Sequence, residues 1–172
     1  MSILNHKNAA RKYIQCGIIT VSDSRTMETD KSGQLMIKLL KENGHLIEDY
    51  HIVKDNQSEI QEKIFYMSNI QKIQSILING GTGIAKRDVT IEAVSSLFEK
   101  EITGFGELFR YLSYTEDIGS SSMLSRATAG VYNDKVIFVT PGSLGAVKLA
   151  MNKLILPELG HIVHEIEKDL GY

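Results

Sequence analysis

The chain has 172 residues, a formal charge of −2, and 42% hydrophobic against 23% charged side chains, as expected of one ordinary globular domain with a substantial core. That balance argues against nucleic acid or an anionic membrane as partner, and no apolar run is long enough to span a bilayer. The lone cysteine, Cys16, has no partner for an internal disulfide; it opens an apolar stretch and reads as a small buried hydrophobe rather than a nucleophile.

Residues 1–13 are polar and lack the apolar centre of a signal peptide, so they read as a flexible arm ahead of a single domain over residues 14–172, with the cytoplasm as expected compartment. Cys16 to Val21 is β-branched enough for a strand buried on both faces. It runs into Ser22-Asp23-Ser24-Arg25. Ser32 is expected to cap a helix with Leu35, Met36, Leu39 and Leu40 on one stripe, ended by Gly44 in the left-handed region. Leu46 to Val53 reads as a second strand, with Glu48 as the exception on its apolar face. Asp55 follows it, and a helix over about 58–69 carries Ile60, Ile64 and Met67.

Ser75 to Asn79 is a third buried strand. It leads into Gly80-Gly81-Thr82-Gly83, then Lys86-Arg87-Asp88, before a helical pattern from Val89. Gly104 to Glu107 reads as an interruption ahead of a short helix over 108–115. Ala127 to Val131 and Lys135 to Thr140 flank Asn133-Asp134, the signal of a hairpin. Pro141-Gly142-Ser143 starts another helix, and a final one runs from Pro157 to Leu170. The alternation of strands and helices predicts an α/β three-layer sandwich, a mostly parallel sheet with helices on both faces and an antiparallel hairpin element.

In such a sheet ligands bind at the carboxyl ends of the strands. Four strand ends here are small, acidic or glycine-rich: Ser22-Asp23, Asp55, Gly80 to Asp88, and Pro141-Gly142-Ser143. The fourth joins the others only if residues 135–140 run parallel to the first three strands. Glycines let backbone N–H groups face an anion closely, and helix starts after Asp88 and Pro141 would add positive dipole ends. Together they suit a phosphorylated ligand. Each residue also has a plainer use: Asp88 and Ser143 as helix caps, Asp23 and Asp55 as turn formers. The chain has no G-x-x-x-x-G-K-[ST] loop, and Lys86 stands where G-x-G-x-x-G needs its third glycine, which argues against a dinucleotide-dependent oxidoreductase. His161 and His164 lie on one helix face but lack an H-E-x-x-H pattern or an obvious third ligand, and read as a solvated or interface face.

Ile78-Asn79-Gly80-Gly81-Thr82-Gly83 followed by Arg87-Asp88-Val89-Thr90 resembles the signature of molybdenum-cofactor biosynthesis proteins of the MoaB/MogA type, relatives of the gephyrin G domain. Ser22-Asp23, Asp30-Lys31-Ser32-Gly33, Asp55, Gly104 to Glu107, Leu124-Ser125-Arg126 and Pro141-Gly142-Ser143 match in order, so the resemblance covers about residues 14–170. Asn79 departs from the Thr of many relatives. The compactness of the chain fits the short B-type members. The resemblance implies the molybdopterin-binding fold and adenylyl transfer: the terminal phosphate of molybdopterin attacks the α-phosphorus of Mg-ATP and pyrophosphate leaves.

Carried over by position, Asp55 and Asp88 match the two functionally essential aspartates of the family; because one or two carboxylates with phosphates and water ordinarily hold Mg²⁺, both are expected as its direct or water-mediated ligands. Gly80, Gly81, Thr82 and Gly83, with Pro141, Gly142 and Ser143, match the nucleotide- and pterin-binding loops. Ser22, Asp23 and Ser125 match polar lining positions. The resemblance further implies a trimer or a hexamer and the molybdenum-insertion protein as a partner. Its alternative is a non-catalytic molybdopterin carrier of the same pathway.

Overall fold

The computed structural model describes residues 13–168 and Leu170; apart from Tyr13, the expected N-terminal arm lies outside them. Six strands form one sheet in the order β2-β1-β3-β6-β5-β4. They are β1 (Gln15–Val21), β2 (Leu46–Val53), β3 (Ser75–Asn79), β4 (Lys100–Glu101), β5 (Thr128–Tyr132) and β6 (Lys135–Thr140). β2, β1, β3 and β6 run parallel, and β5 pairs antiparallel with β6 and β4. The helices are α1 (Lys31–Glu42), α2 (Gln57–Ser68), α3 (Thr90–Ser95), α4 (Thr103–Glu116), α5 (Leu144–Ala150) and α6 (Leu156–Glu167).

The side-chain period of two divides the strands between two cores. Ile18, Leu77, Val136 and Phe138 face Met36 and Leu40 of α1, Phe105 and Phe109 of α4, and Val147, Leu159 and Val163 of α5 and α6. Ile19, Ile76, Ile78, Ile137 and Val139 face Ile60, Ile64 and Met67 of α2 and Ala93 and Val94 of α3. The sheet is thus covered on both faces, as expected for its parallel strands. The hairpin turn is Asn133-Asp134, with φ of 48° and 57°, the left-handed pair that a two-residue connection needs.

Four local expectations are corrected. Asp30, not Ser32, caps α1, its Oδ1 accepting from the Gly33 N–H at 3.0 Å; the Ser32 hydroxyl instead donates to the Gly142 carbonyl at 2.6 Å. Gly104 to Glu107 do not interrupt a helix but lie inside α4, where Phe105 and Phe109 anchor its buried face. The helical spacing of Thr90, Ala93, Val94, Leu97 and Phe98 predicts a helix through Phe98, but α3 ends at Ser95 and the chain turns through Leu97 and Phe98 into β4. The last two helices are one rod: a π turn over Met151–Ile155 joins α5 to α6. Gly44, at φ 80°, follows α1 in the left-handed region as expected.

Candidate functional site

The carboxyl ends of β1, β3 and β6 open into one cavity of about 430 Å³. β1 and β3 are where the chain changes direction across the sheet, the usual ligand crevice of an open α/β fold. β6 runs parallel to β3, so the turn at Pro141 joins this edge.

The glycine turn owes its shape to backbone constraints. Gly80 and Gly81 have φ of 96° and 61°, values that other residues adopt only with strain. A Cβ on Gly80 would strike the Val21 carbonyl, and one on Gly81 would strike the Thr90 hydroxyl and the Asp55 carboxylate. The Gly80 N–H donates to the Thr140 carbonyl at 3.1 Å, and the Thr90 N–H to that of Gly81 at 3.0 Å. The Pro141-Gly142 turn packs on this loop, with the Cβ position of Gly142 3.1 Å from the Gly80 Cα. Asn79 Oδ1, Thr90 Oγ1 and Thr140 Oγ1, adjoining the turn, are buried polar atoms with no hydrogen-bond partner.

Asp55 and Asp88 both line this cavity. Asp88 does not cap α3: Val89 is the cap residue ahead of Thr90 and no side chain caps the helix, while Asp88 Oδ2 accepts from the Ala85 N–H at 3.0 Å. Asp23 accepts the Asp55 N–H at 3.2 Å. Burial pushes the Asp55 carboxyl up, the Asp23 and Asp88 charges add to the rise, and Arg87 offsets part of it. A cation, or a proton, at Asp55 would relieve that repulsion. Among the described residues no group of three or more His, Cys, Asp or Glu could hold a metal ion.

Of the residues singled out from sequence, Ser22, Gly80, Gly81, Thr82, Gly83, Ser125, Pro141 and Gly142 line the cavity with the two aspartates. Asp23 and Ser143 do not. Asp23 stands behind Asp55, and Ser143 caps α5, its Oγ accepting from the Ala146 N–H at 3.2 Å. Arg87 lines the cavity and Lys86 does not. Helix α3 has only six residues, so its dipole is short.

Two arginines were not among the expected site residues. Arg25 lines the cavity. Arg126 holds the glycine loop from outside, with Nε donating to the Thr82 carbonyl at 2.9 Å and Nη2 to those of Gly83 at 2.7 Å and Asp88 at 3.3 Å; it also pairs with Glu92. Arg25 carried a weak signal, a cation two residues beyond Asp23 at the end of β1; no acid beside a strand end marks Arg126. A second cavity, at the opposite edge, is lined by Gln15, Gln74, Lys135 and Glu167 among others; it has no glycine turn, and Gln74 donates to Glu167 across it at 2.8 Å.

The family profile described as "Probable molybdopterin binding domain" matches residues 17–161. The chain belongs to this molybdopterin-binding domain family. The molybdenum cofactor biosynthesis protein B of Bacillus cereus is 60% identical over 168 residues, covering 98% of this chain and 99% of that protein. Its counterpart in Bacillus subtilis is 59% identical over 169 residues, with the same coverage. A crystal structure of a molybdenum cofactor biosynthesis protein B superposes with a TM-score of 0.90 at 60% identity, covering 92% of this chain and 98% of that one. The tungsten cofactor synthesizing protein MoaB of Pyrococcus furiosus superposes at 0.81 with 38% identity, covering 91% and 99%. The family profile runs from within β1 to the middle of α6, so the whole cavity falls inside the shared domain.

Proposed function

We propose that this protein acts in molybdenum cofactor biosynthesis as a molybdopterin adenylyltransferase, transferring AMP from Mg-ATP to the terminal phosphate of molybdopterin with release of pyrophosphate. The broader part of this reading, the molybdenum cofactor pathway, comes with family membership. The observation that carries the finer part is the meeting of Asp55 and Asp88 with the Gly80–Gly83 turn in one cavity.

Adenylyl transfer asks the protein mainly for positioning and for stabilisation of phosphate charge. Backbone N–H groups of the glycine turn suit the phosphates, and the Gly142 turn faces them from the next strand end. Mg²⁺ is ordinarily held by one or two carboxylates with substrate phosphates and water completing the shell. Asp55 and Asp88 fit that donor set, and the raised Asp55 carboxyl fits a position that ordinarily has a cation beside it. When bound, the ion supplies charge neutralisation at the phosphates. Assembly as a trimer or hexamer, a cytoplasmic location and handover to the molybdenum-insertion protein complete the proposal.

The test incubates purified protein with molybdopterin, Mg²⁺ and ATP and follows pyrophosphate. Release by the wild type and none by Asp55→Ala or Asp88→Ala is the expected result. Molybdopterin binding without release would make the protein a carrier of the same pathway.

A further inference from the structure

Asp30 is wholly buried, yet three groups from different parts of the chain serve its carboxylate. Tyr50 Oη of β2 donates to Oδ2 at 2.5 Å, the Gly33 N–H of α1 donates to Oδ1 at 3.0 Å, and Arg25 Nη1 donates to Oδ1 at 3.2 Å. The cluster exists because residue 33 is a glycine: a Cβ there would collide with Asp30, Tyr50 and Thr20 together. Burial alone would push the Asp30 carboxyl up, but these donors and the Arg25 charge outweigh it and hold it low. Asp30 is therefore a fixed negative charge behind the wall of the cavity.

The group it fixes is Arg25. Nη2 of the same guanidinium donates to the Gly142 carbonyl at 2.9 Å, so Arg25 spans from Asp30 to the turn after β6. Those two bonds use two of five N–H donors. The side chain is 31% exposed, and that exposure lies in the cavity with Asp55, Asp88 and the glycine turn. A guanidinium held at two points, with three N–H groups left over, is organised in advance for a phosphate oxygen pair.

We propose that Arg25 docks a phosphate group of the substrate, and that Tyr50 and Asp30 are positioning residues that fix its guanidinium. This rests on the reading of the cavity as a phosphate-handling site and adds to it the residue that takes the anion. Arg25 contacts the ligand, whereas Tyr50 acts only through Asp30 and Arg25.

The experiment is titration calorimetry of the full chain with inorganic pyrophosphate at several salt concentrations. Arg25→Ala is expected to weaken pyrophosphate binding about 10- to 100-fold, the scale of a charge-assisted hydrogen-bond pair, and to flatten its salt dependence. Arg25→Lys, which keeps the charge but not the fork, restores the salt dependence but only part of the affinity and serves as the test if the alanine variant does not fold. Tyr50→Phe weakens binding in the wild-type background and not in Arg25→Ala, a coupling that a purely structural tyrosine would not give. Wild-type affinity in Arg25→Ala, additive effects of the two substitutions, or no pyrophosphate binding by the wild type each overturn the proposal. Pyrophosphate binding that depends on Arg25 without adenylyl transfer would overturn only the adenylyltransferase reading. Turnover with binding independent of Arg25 would overturn only the docking role.

Discussion

Arg126 Nε donates to the Thr82 carbonyl at 2.9 Å, a bond from the segment before β5 to the loop after β3. With the further bonds from Nη2 to Gly83 and Asp88, one side chain sets the path of the loop that lines the cavity. Arg126→Ala removes these donors and leaves the carbonyls to water. It is expected to cost about 1–3 kcal/mol of stability and to raise the dissociation constant for ATP. Denaturant unfolding and nucleotide titration check the two effects; unchanged ATP affinity would mean that the loop holds its shape unaided.

Asp55 is placed at a cost to the fold. Burial and the Asp23 and Asp88 charges keep its carboxyl above the ordinary range. A carboxyl raised in the folded state costs stability once ionised, and that cost disappears as pH falls through the raised value. Asp55→Asn should therefore melt slightly higher than wild type near neutral pH, on the order of 1–2 °C, with the gain shrinking in acid. Adenylyl transfer by this variant should be lost. Paired thermal melts and pyrophosphate assays decide the matter, and a variant that is less stable and still active would contradict both halves.

Gly80→Ala tests the turn itself. The substitution puts a Cβ against the Val21 carbonyl at a φ of 96°, so backbone strain and steric overlap act together. The expected loss is about 2–4 kcal/mol, with pyrophosphate binding weakened even where the variant remains folded. Gly44→Ala is the control, at φ 80° but with open space around its Cβ; it should cost only about 1 kcal/mol and leave binding untouched.

The opposite sign applies to Asp30. Its donors hold the folded carboxyl below the unfolded value of about 3.9, so its contribution is complete above about pH 4 and is lost as pH falls through the folded value. Asp30→Asn should lower the melting temperature at neutral pH and make the further loss in acid shallower than in wild type. Melts from about pH 7 down to about pH 3 measure it. Parallel acid limbs for both proteins would show that Asp30 is not an ionised partner.

Much of the fold was legible because parallel strands buried on both faces stand out as apolar, β-branched runs. The strands 46–53, 75–79 and 135–140 match expectation residue for residue, and Asn133-Asp134 marked the hairpin by its tolerance of positive φ. β4 gave no signal: its two residues, Lys100 and Glu101, are exposed and pair only because β5 lies alongside. Gly104 and Gly106 looked like helix breakers, but the burial of Phe105 and Phe109 outweighs their propensity cost. Ser32 was the expected cap, and Asp30 stands two residues before it. Asp30 wins because its carboxylate also meets Tyr50 and Arg25, while Ser32 is drawn to Gly142. The site acids and glycines lie on short, distinctive stretches. The contacts of the two arginines were illegible because Arg25 and Arg126 find their carbonyl partners 117 and 44 positions away.

β6 is the last strand among the described residues and yet lies between β3 and β5. During synthesis β1, β2 and β3 leave the ribosome with one side of β3 unsatisfied, and the Gly80 amide has no acceptor until Thr140 arrives. A nascent or proteolysed fragment ending before Lys135 would therefore present a sticky apolar border suited to self-association while lacking the Pro141-Gly142 wall of the cavity. Any shielding from degradation that a bound ligand gives would then belong to the finished polypeptide alone.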